Sequence, residues 1–206
     1  PPRRMGSKIV SVNDAQAKDI KGYINTIPFN FPDQALLGGV ITHVPLVVAT
    51  NYPSAMRAAK LIDVSWDNSG CSSNSSSDFE TEAVEILKDQ SKAKLSWKKG
   101  EFDTCADGKN CERIKRTYKT SMVAHVALEP MSTLVNFDAG FLHIYAGHQV
   151  GTLLPNIIGQ FTGISPEKII YHPHLVGGSF GKRAEFGMIV LAALASIQLQ
   201  KPIKLI

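Results

Sequence analysis

The stretch Tyr171–Arg183, YHPHLVGGSFGKR, sets imidazoles, a glycine turn and two cations side by side. Glycine puts no Cβ in the way of an approaching group and tolerates positive φ. The amides of such a turn, with the positive end of a following helix, attract a phosphate or an oxyanion. Lys182 and Arg183 add charge where that anion would sit, and Phe180 is either a packing anchor or one wall of a pocket. By letters alone an ordinary tight turn reads the same. Gly147-His148-Gln149 is a second candidate, in which the Gln149 carboxamide either caps the next helix or donates to a bound group. His172 and His174 share one face of a strand and could pair on a metal, with no third ligand in sight, while His125 and Glu129 read as structural.

These residues need a strand before the turn and a helix after it. Ile169–Val176 can form the strand, and the apolar run from about Ala184 to Gln200 the helix. Upstream, Thr133–Phe137 and Leu142–Ala146 flank Asp138-Ala139-Gly140, which is hairpin grammar. A helix follows near Leu153–Phe161, with Pro155 early and Gly163 as its stop. Ile114–Ser121 alternates like a half-buried strand. The first third predicts strands over Lys8–Val12, Tyr23–Ile27, Pro45–Thr50 and Ile62–Trp66, a loop over Phe29–Gly39, and a helix from Asn51 to Leu61 with Pro53 in its first turn. Between them, Ser69–Ser77 is a hydrophilic linker, and Ser77 with Glu80 makes a capping box for a helix to about Asp89.

A chain of 206 residues with 44% hydrophobic and 19% charged residues builds a core. A net charge of +4 without a basic run interleaved with aromatics does not point to nucleic acid. The longest apolar run, Phe186–Ile197, falls short of the roughly 20 residues of a membrane span. Nothing at the start reads as a signal peptide, and both ends read as cuts through a longer polypeptide. Cys105 and Cys111 flank a polar turn, ADGKN, so a disulfide and two free thiols are both open; with Cys71 they lack zinc-ligand spacing.

Three motifs stand in one order: Ala127-Leu128-Glu129-Pro130-Met131, then Gly147-His148-Gln149, then Gly177-Gly178-Ser179-Phe180-Gly181-Lys182-Arg183. This order and spacing resemble the molybdopterin-binding large subunit of the xanthine oxidase and aldehyde oxidase family. Within that family the chain looks like the branch of the isoquinoline 1-oxidoreductase beta subunit and its membrane-bound aldehyde dehydrogenase relatives. PPRRMGSKIVSVNDAQA and PLVVATNYPSAMRAAKLIDVSWD resemble the later half of that family's α/β hammerhead domain. The resemblance implies an α+β chain of mixed sheets with helices on them. Residues 1–68 would be a partial hammerhead-like domain, 69–112 a linker and insertion, and 113–206 the start of a molybdopterin-binding domain.

The resemblance further implies a molybdenum centre held by a pterin dithiolene, in a cytosine dinucleotide form, that oxidises aldehydes or N-heterocycles with oxygen from water. Electrons would leave through iron–sulfur clusters on a small partner subunit, with a cytochrome c subunit as a further partner. Carried over by motif, Gln149 hydrogen-bonds the apical oxo ligand and Phe180-Gly181 lies against the metal. His148, Gly177, Gly178, Ser179 and Arg183 join the cofactor-binding set. A neutral amide suits that oxygen because it donates without a proton to lose. Departures from the family pattern stand at His148 for Thr, Ser179 for Gly, and Gly187 and Leu191 for acidic residues. They motivate an alternative, a non-catalytic scaffold that docks an electron-transfer subunit. The family's base lies beyond Ile206, so the isolated chain is expected to be inactive. A kinase glycine loop is excluded because no VAIK-, HRD- or DFG-like residues follow. Location leans to the periplasm or a membrane-associated assembly, and otherwise to the cytoplasm.

Overall fold

Four stretches of backbone decide where the turn sits: a hairpin, a parallel strand beside it, the helix that crosses between them, and one helix buried on all sides. The computed structural model describes residues 4, 6–30, 43–71, 73–92, 94–100, 114, 116–121 and 123–206. They fall into two compact units, Pro1–Ser72 with His125–Ile206, and Ser73–Ala124.

In the first unit, β1 (Lys8–Asn13) pairs antiparallel with β4 (Asp63–Asp67), and β2 (Tyr23–Asn30) with β3 (His43–Ala49). Helix α1 (Tyr52–Ala59) starts where the Asn51 side chain accepts the Ser54 amide. A four-stranded sheet of order β7-β6-β5-β8 contains β5 (Thr133–Asp138), β6 (Phe141–Ala146), β7 (Ile169–Pro173) and β8 (Ile203–Leu205). The β5–β6 turn has positive φ at Ala139 (47°) and Gly140 (83°), the twist that matches the flanking strands. β7 runs parallel to β6, which requires a crossover. Helix α3 (Leu154–Thr162) supplies it, begun near Pro155 and ended by Gly163 at φ 72°.

Helix α4 (Gly187–Leu199) buries residues all round. Ile189, Val190, Ala192 and Ala193 join the core under the four-stranded sheet, with Val135, Leu142, Ile144 and Ile158. Ala195 joins Ile27, Leu46 and Val48 of the β2–β3 hairpin. A largely apolar helix is held between layers; here strands lie on two sides and α3 packs beside it. Its buried Ser196 accepts the Phe137 amide (3.0 Å) and donates to the Lys201 carbonyl (2.7 Å), tying the helix to β5 and to the approach to β8. Among its described residues the second unit contains helix α2 (Ser76–Lys88), which has no buried residue, a 3-10 turn at Gln90–Lys92 and segments without regular structure.

Several expectations need correction. Ile114–Ser121 is no strand among its described residues: Ile114 and Tyr118 are 72% and 88% exposed, so the alternation has no surface to bury against. The capping box is Ser75 with Asp78, because the serine run offers several frames and this one places a carboxylate back on the Ser75 amide. β2 continues through Phe29 and Asn30, since its pairing with β3 tolerates Pro28 opposite Pro45. β7 stops at Pro173, and α4 begins at Gly187 because a 3-10 turn and an extended Glu185 come first. The Cys105/Cys111 loop and most of the Phe29–Gly39 loop lie outside the described residues.

Replacing Ser196 by Ala takes from the Phe137 amide and the Lys201 carbonyl the partner that this buried hydroxyl gives them. The expected loss is about 1–3 kcal/mol in urea unfolding; an unchanged midpoint would show that this hydroxyl does not join helix to sheet.

Candidate functional site

Beyond Pro173 the chain leaves the sheet, with the His174 amide still on the Ala146 carbonyl (3.1 Å). Gly178 (φ 101°), Phe180 (φ 52°) and Gly181 (φ 94°) then adopt left-handed backbone. For Phe180 that conformation costs about 1–2 kcal/mol, so its surroundings must impose it. They do so through Arg183, which is 2% exposed. Its Nε donates to the Gly178 carbonyl (2.9 Å), and its terminal nitrogen to the Glu129 carbonyl (2.9 Å) and carboxylate (3.0 Å). The same carboxylate accepts the Gly177 amide, and the Glu129 amide donates to the Gly177 carbonyl (3.3 Å). A Cβ on Gly177 would lie 2.7 Å from the Glu129 Cβ, so glycine is what lets this ring of bonds close.

The Gly147-His148-Gln149 turn locks onto the same place. A Cβ on Gly147 would lie 2.4 Å from a Val176 methyl. The Gln149 amide donates to the Arg183 carbonyl (3.1 Å), while the residue is exposed. The His148 Nδ1 accepts the Val150 amide (3.1 Å), and its ring packs on Phe186 with centroids 4.6 Å apart. The Nε2 of His148 is buried without a hydrogen-bond partner among the described residues. Burial lowers its pKa, since the charged ring would lose its hydration there. The Tyr171 hydroxyl donates to the Ala146 carbonyl (2.9 Å), and burial raises its pKa.

Three motifs far apart in sequence therefore meet on one arginine. Arg183, expected to offer charge to an anion, is committed inside the protein, and Lys182 pairs with Glu185 (2.7 Å). Phe180 is 71% exposed, so within this chain it is no core anchor. Among the described residues the amides of Gly178, Ser179, Phe180 and Gly181 find no acceptor, so four consecutive donors stand beside a bare ring. Gly187 and Leu191 are buried in α4. His172 shares a hydrogen bond with His143 (3.1 Å) and stacks on Tyr145 at 4.2 Å, and His174 meets Tyr145 edge-on. Glu129, read from sequence as structural, is so here; its partner Arg183 was not legible, because an acid in one motif and an arginine in another have no spacing to join them.

Residues 86–206 match the family described as "Molybdopterin cofactor-binding domain". The chain belongs to that family. A membrane-bound aldehyde dehydrogenase [pyrroloquinoline-quinone] of Gluconacetobacter polyoxogenes is 31% identical over 207 residues, covering 100% of this chain and 26% of the relative. The isoquinoline 1-oxidoreductase subunit beta of Brevundimonas diminuta is 30% identical over 115 residues, 54% of this chain and 15% of the relative. The molybdopterin-binding chain thus spans about a quarter or less of these relatives. The crystal structure of quinoline 2-oxidoreductase from Pseudomonas putida 86 superposes with a TM-score of 0.66 at 18% identity, over 96% of this chain and 29% of that one, and this shows the shared fold. No helix among the described residues is long and apolar enough to cross a membrane.

The lowered pKa of His148 fixes a pH dependence. An ordinary imidazole gains its proton near 6.5, and the folded ring gains it only at lower pH. As pH falls through about 6.5 the unfolded chain binds this proton first, so folded stability is kept in full above about 6.5 and drops from there down to the lowered value. Urea unfolding of His148→Asn is expected to show a shallower acid-side decline than the parent; equal slopes would contradict the burial of this ring.

Proposed function

We propose that this chain is one wall of the molybdenum–pterin site in the large subunit of a hydroxylase that oxidises aldehydes or N-heterocycles. The observation that supports it is the convergence on Arg183, whose carbonyl holds the backbone amide of the exposed Gln149 just after a turn of four free amides and the exposed Phe180. Those residues fit a flat, anionic group: free N–H donors answer its oxygens, and a bare ring covers a face of it. The glycines at 177, 178 and 181 let the main chain approach closely.

When bound, the molybdenum–pterin group supplies the oxygen-transfer and two-electron chemistry. The chain's own residues position and polarise. Gln149 donates from a neutral amide, which stabilises a negative oxygen without exchanging a proton with it. Ser179, Phe180 and Gly181 offer main-chain hydrogen bonds that need no reorganisation, because Arg183 and Glu129 already hold the turn. Phe180 excludes water from the face it covers. Arg183 acts through the backbone it holds, and its guanidinium stays off the cofactor.

Residues 1–68 form a hammerhead-like part of the same subunit in this reading, with residues 69–112 a linker and insertion. The pterin is the cytosine dinucleotide form. Electrons pass to iron–sulfur clusters on a small subunit, with a cytochrome c subunit as a further acceptor, in a membrane-associated assembly. The names of the aldehyde dehydrogenase and isoquinoline oxidoreductase relatives support the substrate classes, and the word membrane-bound in one of them supports the location.

Elemental and mass analysis of the full-length protein is expected to find molybdenum and a pterin dinucleotide. A preparation made with cofactor supply that holds neither, or that holds a quinone in their place, overturns the reading. Gln149→Ala is expected to lower aldehyde turnover on the order of a hundredfold with molybdenum content little changed. Full loading in the parent protein without turnover of any aldehyde or N-heterocycle would favour the scaffold alternative.

A further inference from the structure

We infer that His148 is a positioning residue whose task is to accept the Val150 amide through Nδ1 and so set the direction in which Gln149 leaves its turn. The inference rests on the proposed role of Gln149. Its ground is geometric. The bond from the Val150 amide to His148 Nδ1 (3.1 Å) spans two residues and encloses Gln149 between its ends. The amide of Gln149 is fixed separately, on the Arg183 carbonyl (3.1 Å). One bond fixes the peptide entering residue 149 and the other the peptide leaving it, so the side chain between them has a defined starting direction.

The other features of the ring agree. Since Nδ1 accepts, the neutral ring carries its proton on Nε2. That Nε2 is buried and has no hydrogen-bond partner among the described residues, so the one hydrogen bond the structure gives the ring is the one at Nδ1. The ring packs on Phe186, the residue just before α4, which holds the acceptor in place from the side of the helix. A side-chain acceptor two residues ahead of the amide it binds is the geometry that Asn, Asp, Ser and Thr use in turns. His148 does with an imidazole nitrogen what those residues do with oxygen, so the acceptor, and not the imidazole, is the requirement at this position.

The prediction separates shape from hydrogen bonding. In full-length protein, His148→Phe keeps an aromatic ring on Phe186 and removes the acceptor; His148→Asn and His148→Thr shrink the side chain and keep one. With benzaldehyde and ferricyanide as probe substrate and acceptor, His148→Phe is expected to lose about tenfold or more in kcat, with KM and molybdenum content near the parent values. His148→Asn and His148→Thr should stay within about threefold of the parent. Amide exchange at Val150 should be slow in the parent, Asn and Thr proteins and fast in Phe. The inference is overturned if the Phe protein turns over like the parent, if Asn and Thr are as impaired as Phe, or if Val150 exchange is the same in all four. A parent protein free of molybdenum and of turnover would sink the proposed function, and the Val150 exchange pattern would still read the acceptor role by itself.

Discussion

A guanidinium taken out of water must find acceptors, and in this chain it finds them in the main chain of a turn that would otherwise not hold its shape. Arg183 meets the carbonyls of Gly178 and Glu129 and the Glu129 carboxylate. Charge-assisted bonds contribute about 1.5–3 kcal/mol each. The two to carbonyls alone outweigh the ~1–2 kcal/mol that a left-handed Phe180 costs. The ion pair adds less, because Glu129 is half-exposed and water screens it. Hydrogen bonding to the backbone, more than charge neutralisation, therefore sets the turn.

The scaffold explains why so few bonds suffice. β7 lies parallel to β6, so the segments that leave both strands emerge at the same end of the sheet, and the His174 amide and Tyr171 hydroxyl share the Ala146 carbonyl there. Helix α4 is gripped between two layers of strands and gives the turn a fixed landing point at Phe186. At Gly147, Gly151 and Gly177 a side chain would push these segments apart, since a Cβ there would lie 2.4–2.7 Å from Val176, Tyr171 or Glu129. The turn is thus the junction of a sheet end, a crossover and a buried helix, and functional loops are held by rigid elements in this way.

Local chemistry was legible wherever one residue type decides the backbone. The Asn51 cap, the Gly163 stop, the turn at Ala139-Gly140 and the largely apolar α4 could all be read from the letters. The fold class and the family likeness followed from motif order. Features with several equivalent local solutions could not be read. The serine run allows more than one capping box, and alternation over Ile114–Ser121 does not supply a neighbour to pair with. The site divides the same way: its glycines announced a close approach, but nothing in sequence said that Arg183 points inward or that Glu129 receives it. Such long-range partners lie 54 residues apart, and periodicity carries no information at that distance.

The central claim is that the wall built on Arg183 faces the metal. A crystal structure of the full-length protein, with an anomalous difference map recorded above the molybdenum edge, tests it most directly. The account predicts one molybdenum peak with the Phe180 ring in van der Waals contact with its ligands and the Gln149 carboxamide within hydrogen-bond reach of one of them. A peak elsewhere, with Phe180 and Gln149 both remote from it, would contradict the account.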